Sequence, residues 1–126
     1  MIALFIAVSA YAHHSAAGID QTKTVTEEGI VKQFKWANPH SWLEIEVTSK
    51  GASEIWNLEM NPPAFLVRAG WKSTTIKPGD KIKITARPFK NGDPGGLFVS
   101  VTLPSGQVLG QQAPRGAAPA PVYEQK

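Results

Sequence analysis

A chain of 126 residues without cysteine has no route to disulfides, thiolate metal ligands or a cysteine nucleophile. Its 13 basic and 10 acidic residues leave a net charge of +3, a mild excess spread along the chain at, for example, Lys72, Lys77, Lys81, Lys83, Arg87 and Lys90. No dense basic run appears, so nucleic acid is not an expected partner, and the length suits one small domain with a modest core.

Residues 2–10 (IALFIAVSA) form an apolar run as long as the h-region of a signal peptide. Ala10-Tyr11-Ala12 and Val8-Ser9-Ala10 both supply the small-residue pattern of a cleavage site. The run is too short to span a bilayer, which takes ~20 apolar residues. Residues 1–12 are therefore expected to be an export leader and the mature protein to be periplasmic or secreted, with no membrane span once the leader is removed. The departure from type is the n-region, where no Lys or Arg precedes the apolar run, as in a leader with a truncated start. The competing reading is a buried N-terminal strand.

Residues 13–23 read as an N-terminal arm. Residues 24–34 (TVTEEGIVKQF) mix β-branched and polar residues as a strand does, with Gly29 a candidate bulge or bend. Asn38-Pro39 breaks that strand. Residues 40–48 (HSWLEIEVT) then alternate, Trp42, Glu44 and Glu46 on one face and Leu43, Ile45 and Val47 on the other. A turn at residues 50–53 leads to a third strand at residues 54–60 (EIWNLEM), with Ile55, Asn57 and Glu59 opposite Trp56, Leu58 and Met60.

The period then changes. Asn61 is placed to cap a helix at residues 62–69 that opens on Pro62 and Pro63, tolerated in a first turn. Phe65, Leu66 and Ala69 give it an apolar stripe, and Gly70 is suited to a left-handed residue at its end, with Trp71 packing back. After a turn at residues 77–80 come a strand at 81–89, a hairpin connection at 91–96 and a last strand at 97–103. Residues 111–126 (QQAPRGAAPAPVYEQK) are Pro/Ala/Gln-rich with little to bury and are expected to be a disordered tail. Five strands with one short helix between the third and fourth is the order of an OB-fold. The expected fold is thus all-β with one short helix, an OB-like barrel over residues 24–110, with an open β-sandwich as the alternative.

The three histidines fall in two places. Cleavage after Ala12 would make His13 the mature N-terminus, with an α-amine titrating near pH ~8 beside an imidazole near ~6.5. Amine and imidazole of one residue chelate, and a third nitrogen from His14 or His40 would complete a set that Cu(II) accepts in preference to zinc. Cleavage after Ala10 would give Tyr11-Ala12-His13, another copper-binding terminus. The structural reading beside it is a frayed terminus with a turn histidine at His40. Met60 could add a thioether but suits packing better.

Trp42 and Trp56, on neighbouring predicted strands, could form an exposed stacking face of the kind OB-folds offer to ligands, although core filling competes for both rings. Glu44, Glu46 and Glu59 form no forced carboxylate pair, and Ser15 and Ser41 lack an oxyanion loop, so no catalytic constellation is expected.

In this order, His13-His14-Ser15 behind the leader, Trp36-Ala37-Asn38-Pro39-His40, Arg68-Ala69-Gly70-Trp71 and Lys77-Pro78-Gly79-Asp80 resemble a family of small exported bacterial proteins known only as a domain of unknown function. The resemblance covers residues 13–110. It implies a periplasmic, β-rich domain and brings no established activity. The functional expectation is an exported, non-catalytic binding protein that holds copper through His13, His14 and His40. The alternative is an OB-like module that binds an envelope glycan, peptide or partner protein through the Trp42/Trp56 face.

Overall fold

In a computed structural model of the chain, residues 18–112 are described. Six strands and one helix follow in order: β1 (Val25–Lys35), β2 (Ser41–Ser49), β3 (Ala52–Met60), α1 (Pro63–Arg68), β4 (Lys81–Pro88), β5 (Gly95–Thr102) and β6 (Val108–Gly110). The first three form an antiparallel meander, and β1 also pairs antiparallel with β4, which pairs with β5. A short parallel seam between β3 and β5, Asn57 to Gly95, Leu58 to Gly96 and Glu59 to Leu97, then joins the two ends. The result is a closed five-stranded barrel of OB order rather than an open sandwich. Closure hides the sheet edges that a domain this small would otherwise expose.

Alternation explains which residues fill the barrel. Leu43, Ile45 and Val47 of β2, Leu58 and Met60 of β3, Ile82, Ile84 and Ala86 of β4 and Phe98 and Val101 of β5 are buried together with Val31. Met60 is therefore a packing residue, as its strand position favours. The shift in register of β1 falls between Val31 and Gln33, not at Gly29. It lets one long strand pair with β4 along its first half and with β2 along its second.

The helix joins the core through Leu66, which is fully buried. Its end is a Schellman turn: the Gly70 amide donates to Val67 O at 3.1 Å and the Trp71 amide to Leu66 O at 2.9 Å, with Gly70 at φ +97°. This delivers the Trp71 indole into the core, where its ring lies 5.6 Å from Phe98 and 5.7 Å from Phe34, and Phe34 in turn lies 5.9 Å from Trp36. Two details of the expected helix are corrected. Its N-cap is Pro62 with no side-chain cap, because Asn61 is committed elsewhere, and Phe65 is 53% exposed instead of lying in the apolar stripe.

Asn61 is engaged by the chain's far end. A sixth strand, not anticipated from the sequence, adds to the free side of β5 and buries Leu109. Gln111 follows it, and this residue was expected to open the tail. It is buried instead, its side chain accepting from the Asn61 amide and donating to Phe98 O at 2.6 Å. The rest of the expected tail, residues 113–126, and the expected leader lie outside the described residues.

The N-terminal arm is pinned at the opposite connection. Lys90 N donates to Gly18 O at 3.0 Å, Asp20 N to Pro88 O at 2.8 Å and Arg87 Nη1 to Gln21 O at 2.6 Å, and Ile19 bridges to Phe89. The Asp20 carboxyl is held below its ordinary value by a hydrogen bond from the Thr22 hydroxyl and then by one from the Thr22 amide. A lowered carboxylate makes its contribution above the ordinary carboxylate range and loses it as pH falls through the lowered value, so this turn is intact at neutral pH. Among the described residues, no helix is long and apolar enough to cross a membrane.

Candidate functional site

The side chains that alternate outward from β2 and β3 form a face with aromatic and polar groups mixed. Register places Trp42 opposite Glu59, Glu44 opposite Asn57 and Glu46 opposite Ile55, and paired residues of an antiparallel ladder share a face. The connection from β4 to β5 lies over this face, because the parallel seam brings β5 against the end of β3 and the Asn57 amide donates to Pro94 O. The two surfaces enclose an open cavity of about 390 Å³ lined by Trp42, Ile55, Asn57, Phe89, Asp93 and Pro94. Two aromatic rings, an amide and a carboxylate converge there, the mixture expected of a small-ligand site.

The loop that supplies Asp93 is braced internally. Asn91 Nδ2 donates to Asp93 Oδ2 at 2.9 Å, and Asn91 Oδ1 accepts from the Asp93 amide at 2.9 Å. An Asx arrangement of this kind fixes the direction of a loop carboxylate without burying it. At the other margin His40 precedes β2, after a cis Asn38-Pro39 bond. Its Nδ1 lies 3.5 Å from Oε1 of Glu59, with the imidazole half-exposed and the carboxylate nearly buried. A second, smaller concavity of about 260 Å³ is lined by Glu28, Gly29, Ile30, Glu46, Thr48 and Lys81. It has no aromatic surface, and Glu46 is already paired to Lys32 at 2.9 Å.

The residues singled out from the sequence divide accordingly. Trp42 lines the groove and His40 stands at its margin through Glu59. Trp56 does not join Trp42. It is paired with Ile45, on the inward face, packs against the core and donates its Nε1 to Glu54 Oε1 at 2.9 Å. The expected Trp42/Trp56 platform is therefore corrected: neighbouring strands were foreseen, but the register sets the two rings on opposite faces. His13 and His14 lie outside the described residues. Among the described residues no three His, Cys, Asp or Glu side chains are grouped to hold a metal ion. Ser41 is buried with its hydroxyl at 3.4 Å from Ala37 backbone atoms, so it is unavailable as a nucleophile.

Phe89 was missed because it reads only as the last residue of a strand, and Asp93 and Pro94 because they come from a connection that reads only as flexible. The signal that could have found them was the predicted strand order itself, since OB-folds use the connection between strands four and five beside strands two and three. No curated protein and no solved structure matches the chain. Residues 2–99 match one family throughout, and the chain belongs to that family, described as a family of unknown function, DUF6152.

Proposed function

We propose that this protein is an exported, non-catalytic binding module that takes an envelope component into the groove between the outer face of β2–β3 and the β4–β5 connection. The observation that carries the reading is the convergence of Trp42, Phe89, Asn57 and Asp93 on one cavity. Rings supply apolar area with a preferred geometry, while amide and carboxylate fix orientation. The apolar leader supports export.

Titration with solubilised cell-wall fragments, followed through backbone and indole N–H resonances, tests the site. Shifts are expected at Trp42, Asn57 and the β4–β5 connection. Trp42→Ala should weaken binding about 30-fold, the ~2 kcal/mol typical of an aromatic anchor. Shifts confined to other surfaces would reject the groove, and protein found in the cytoplasm with Met1 intact would reject export.

A second reading is favoured by one specific contact. Glu59 faces Nδ1 of His40 and so leaves Nε2 directed away, the way a carboxylate prepares a histidine for a metal. His13 lies five residues before Gly18 in sequence, within ~18 Å of it along extended chain, and Gly18 is tied to Lys90 at the groove's rim. Copper bound by the mature amine, His13 and an imidazole of His40 or His14 is the proposal on that side. Copper titration monitored by electron paramagnetic resonance should give one Cu(II) per mature chain and weaker binding in His40→Ala. Unchanged affinity in that variant would remove His40 from the site.

A further inference from the structure

The charge inside the groove points to the sign of what enters it, granted that the groove is the ligand site. The chain as a whole carries +3, yet among the described residues of the lining the one charged side chain is Asp93. The outer face beside it adds Glu44, opposite Asn57, while Glu59, opposite Trp42, is nearly buried against His40. Of the nearby cations, Lys32 is paired with Glu46 and His40 faces Glu59, while Lys35, the cross-strand neighbour of Trp42 on the same face, and Lys90, which follows Phe89, stand outside the lining itself. At Asp93 a phosphate or carboxylate would meet repulsion, and a cation would not.

Ring faces and the carboxylate reinforce one another. The faces of Trp42 and Phe89 carry the negative part of the aromatic quadrupole, which attracts an ammonium group and packs equally well on its methylenes. Asp93 is held through Oδ2 by Asn91, which leaves Oδ1 to meet an incoming donor. At about 390 Å³ the cavity is at the small end of ligand pockets, suited to one side chain and not to a run of sugar rings. We infer that the groove binds a peptide segment by taking in one lysine side chain, its methylenes between Trp42 and Phe89 and its ammonium at Asp93.

The test uses the full chain and three probes: acetyl-Ala-Lys-Ala-amide, the same peptide acetylated on the lysine Nε, and chitotetraose. Calorimetric titration should show saturable binding of the first, at least tenfold weaker binding of the second, and weakening of the first by added salt. Asp93→Asn, checked for folding by circular dichroism, should weaken the lysine peptide about fivefold, the upper range for an exposed charge pair. Equal binding of the two peptides, or an unchanged affinity in Asp93→Asn, would overturn the inference. Chitotetraose binding that shifts Trp42 and Asn57, with neither peptide bound, would overturn it while leaving the groove as the ligand site. Silence from all three probes would overturn it and count against the groove as well.

Discussion

Gly96→Ala is expected to cost this domain about 3 kcal/mol or more. A Cβ at Gly96 would run into the carbonyl oxygen of Arg87 and approach the Pro88 Cα to 2.9 Å, and Gly96 sits at φ +148°, where side chains are strained. Both obstacles are backbone atoms of β4, so relief requires breaking the register of β4 and β5. Overpacking alone typically costs ~1–3 kcal/mol, and backbone strain adds to it. Against a stability of ~5–15 kcal/mol for an ordinary domain, that is a large fraction. Urea unfolding checks it through a lower midpoint at unchanged slope. Gly92→Ala serves as the control. Its φ of +83° carries strain but its Cβ meets nothing within 4 Å, so a loss of only ~1 kcal/mol is expected. Equal losses in the two variants would show that the close approach at Gly96 relaxes without consequence.

Trp71→Ala is the second. The ring is 1% exposed, stands edge-on to Phe98, leans on Phe34, and donates Nε1 to the carbonyl of Gly110 at 2.8 Å. Truncating a buried aromatic typically costs ~3–5 kcal/mol, which for a domain of this size lowers the melting temperature by roughly 15–30 °C. Trp71→Phe separates the two contributions, since it keeps most of the packing and leaves the Gly110 carbonyl without its donor, at ~1–3 kcal/mol. A melting temperature for Trp71→Ala within a few degrees of the parent would mean that the helix end and β6 do not depend on the indole.

The parts of this fold that could be read from residue order are those governed by local period. Leu43, Ile45 and Val47 alternate with Trp42, Glu44 and Glu46, and the chain can satisfy that pattern only as a strand with one buried face. The Gly70-Trp71 ending is equally local, because a left-handed residue after an apolar turn has few alternatives. What escaped was set by partners distant in sequence. Trp42 and Trp56 looked like neighbours because adjacency of strands is predictable, whereas their faces depend on a register that places Trp56 against Ile45 and Trp42 against Glu59. Gln111 looked like the first residue of a polar tail, and its burial depends on Asn61 and the Phe98 carbonyl, which no local pattern reveals. The groove likewise combines Asn57 and Ile55 with Phe89 and Asp93, brought together only by closure.

The parallel seam between β3 and β5 also governs when such a groove comes into being. Every other pairing of the barrel joins strands by antiparallel ladders, several of them between immediate neighbours in the chain. The seam consists of three residue pairs linking segments separated by the helix and all of β4. Contacts of that range are costly to establish and are favoured only once the intervening chain is already ordered. The floor of the cavity at Asn57 and its overhang at Pro94 meet across this seam, so the cavity is a property of the completed ring alone. A molecule seated there would grip both sides of the joint and, by mass action, slow or suppress its opening in proportion to occupancy. Amide exchange at Asn57, Leu58 and Glu59 would then register occupancy as directly as any group that touches the guest.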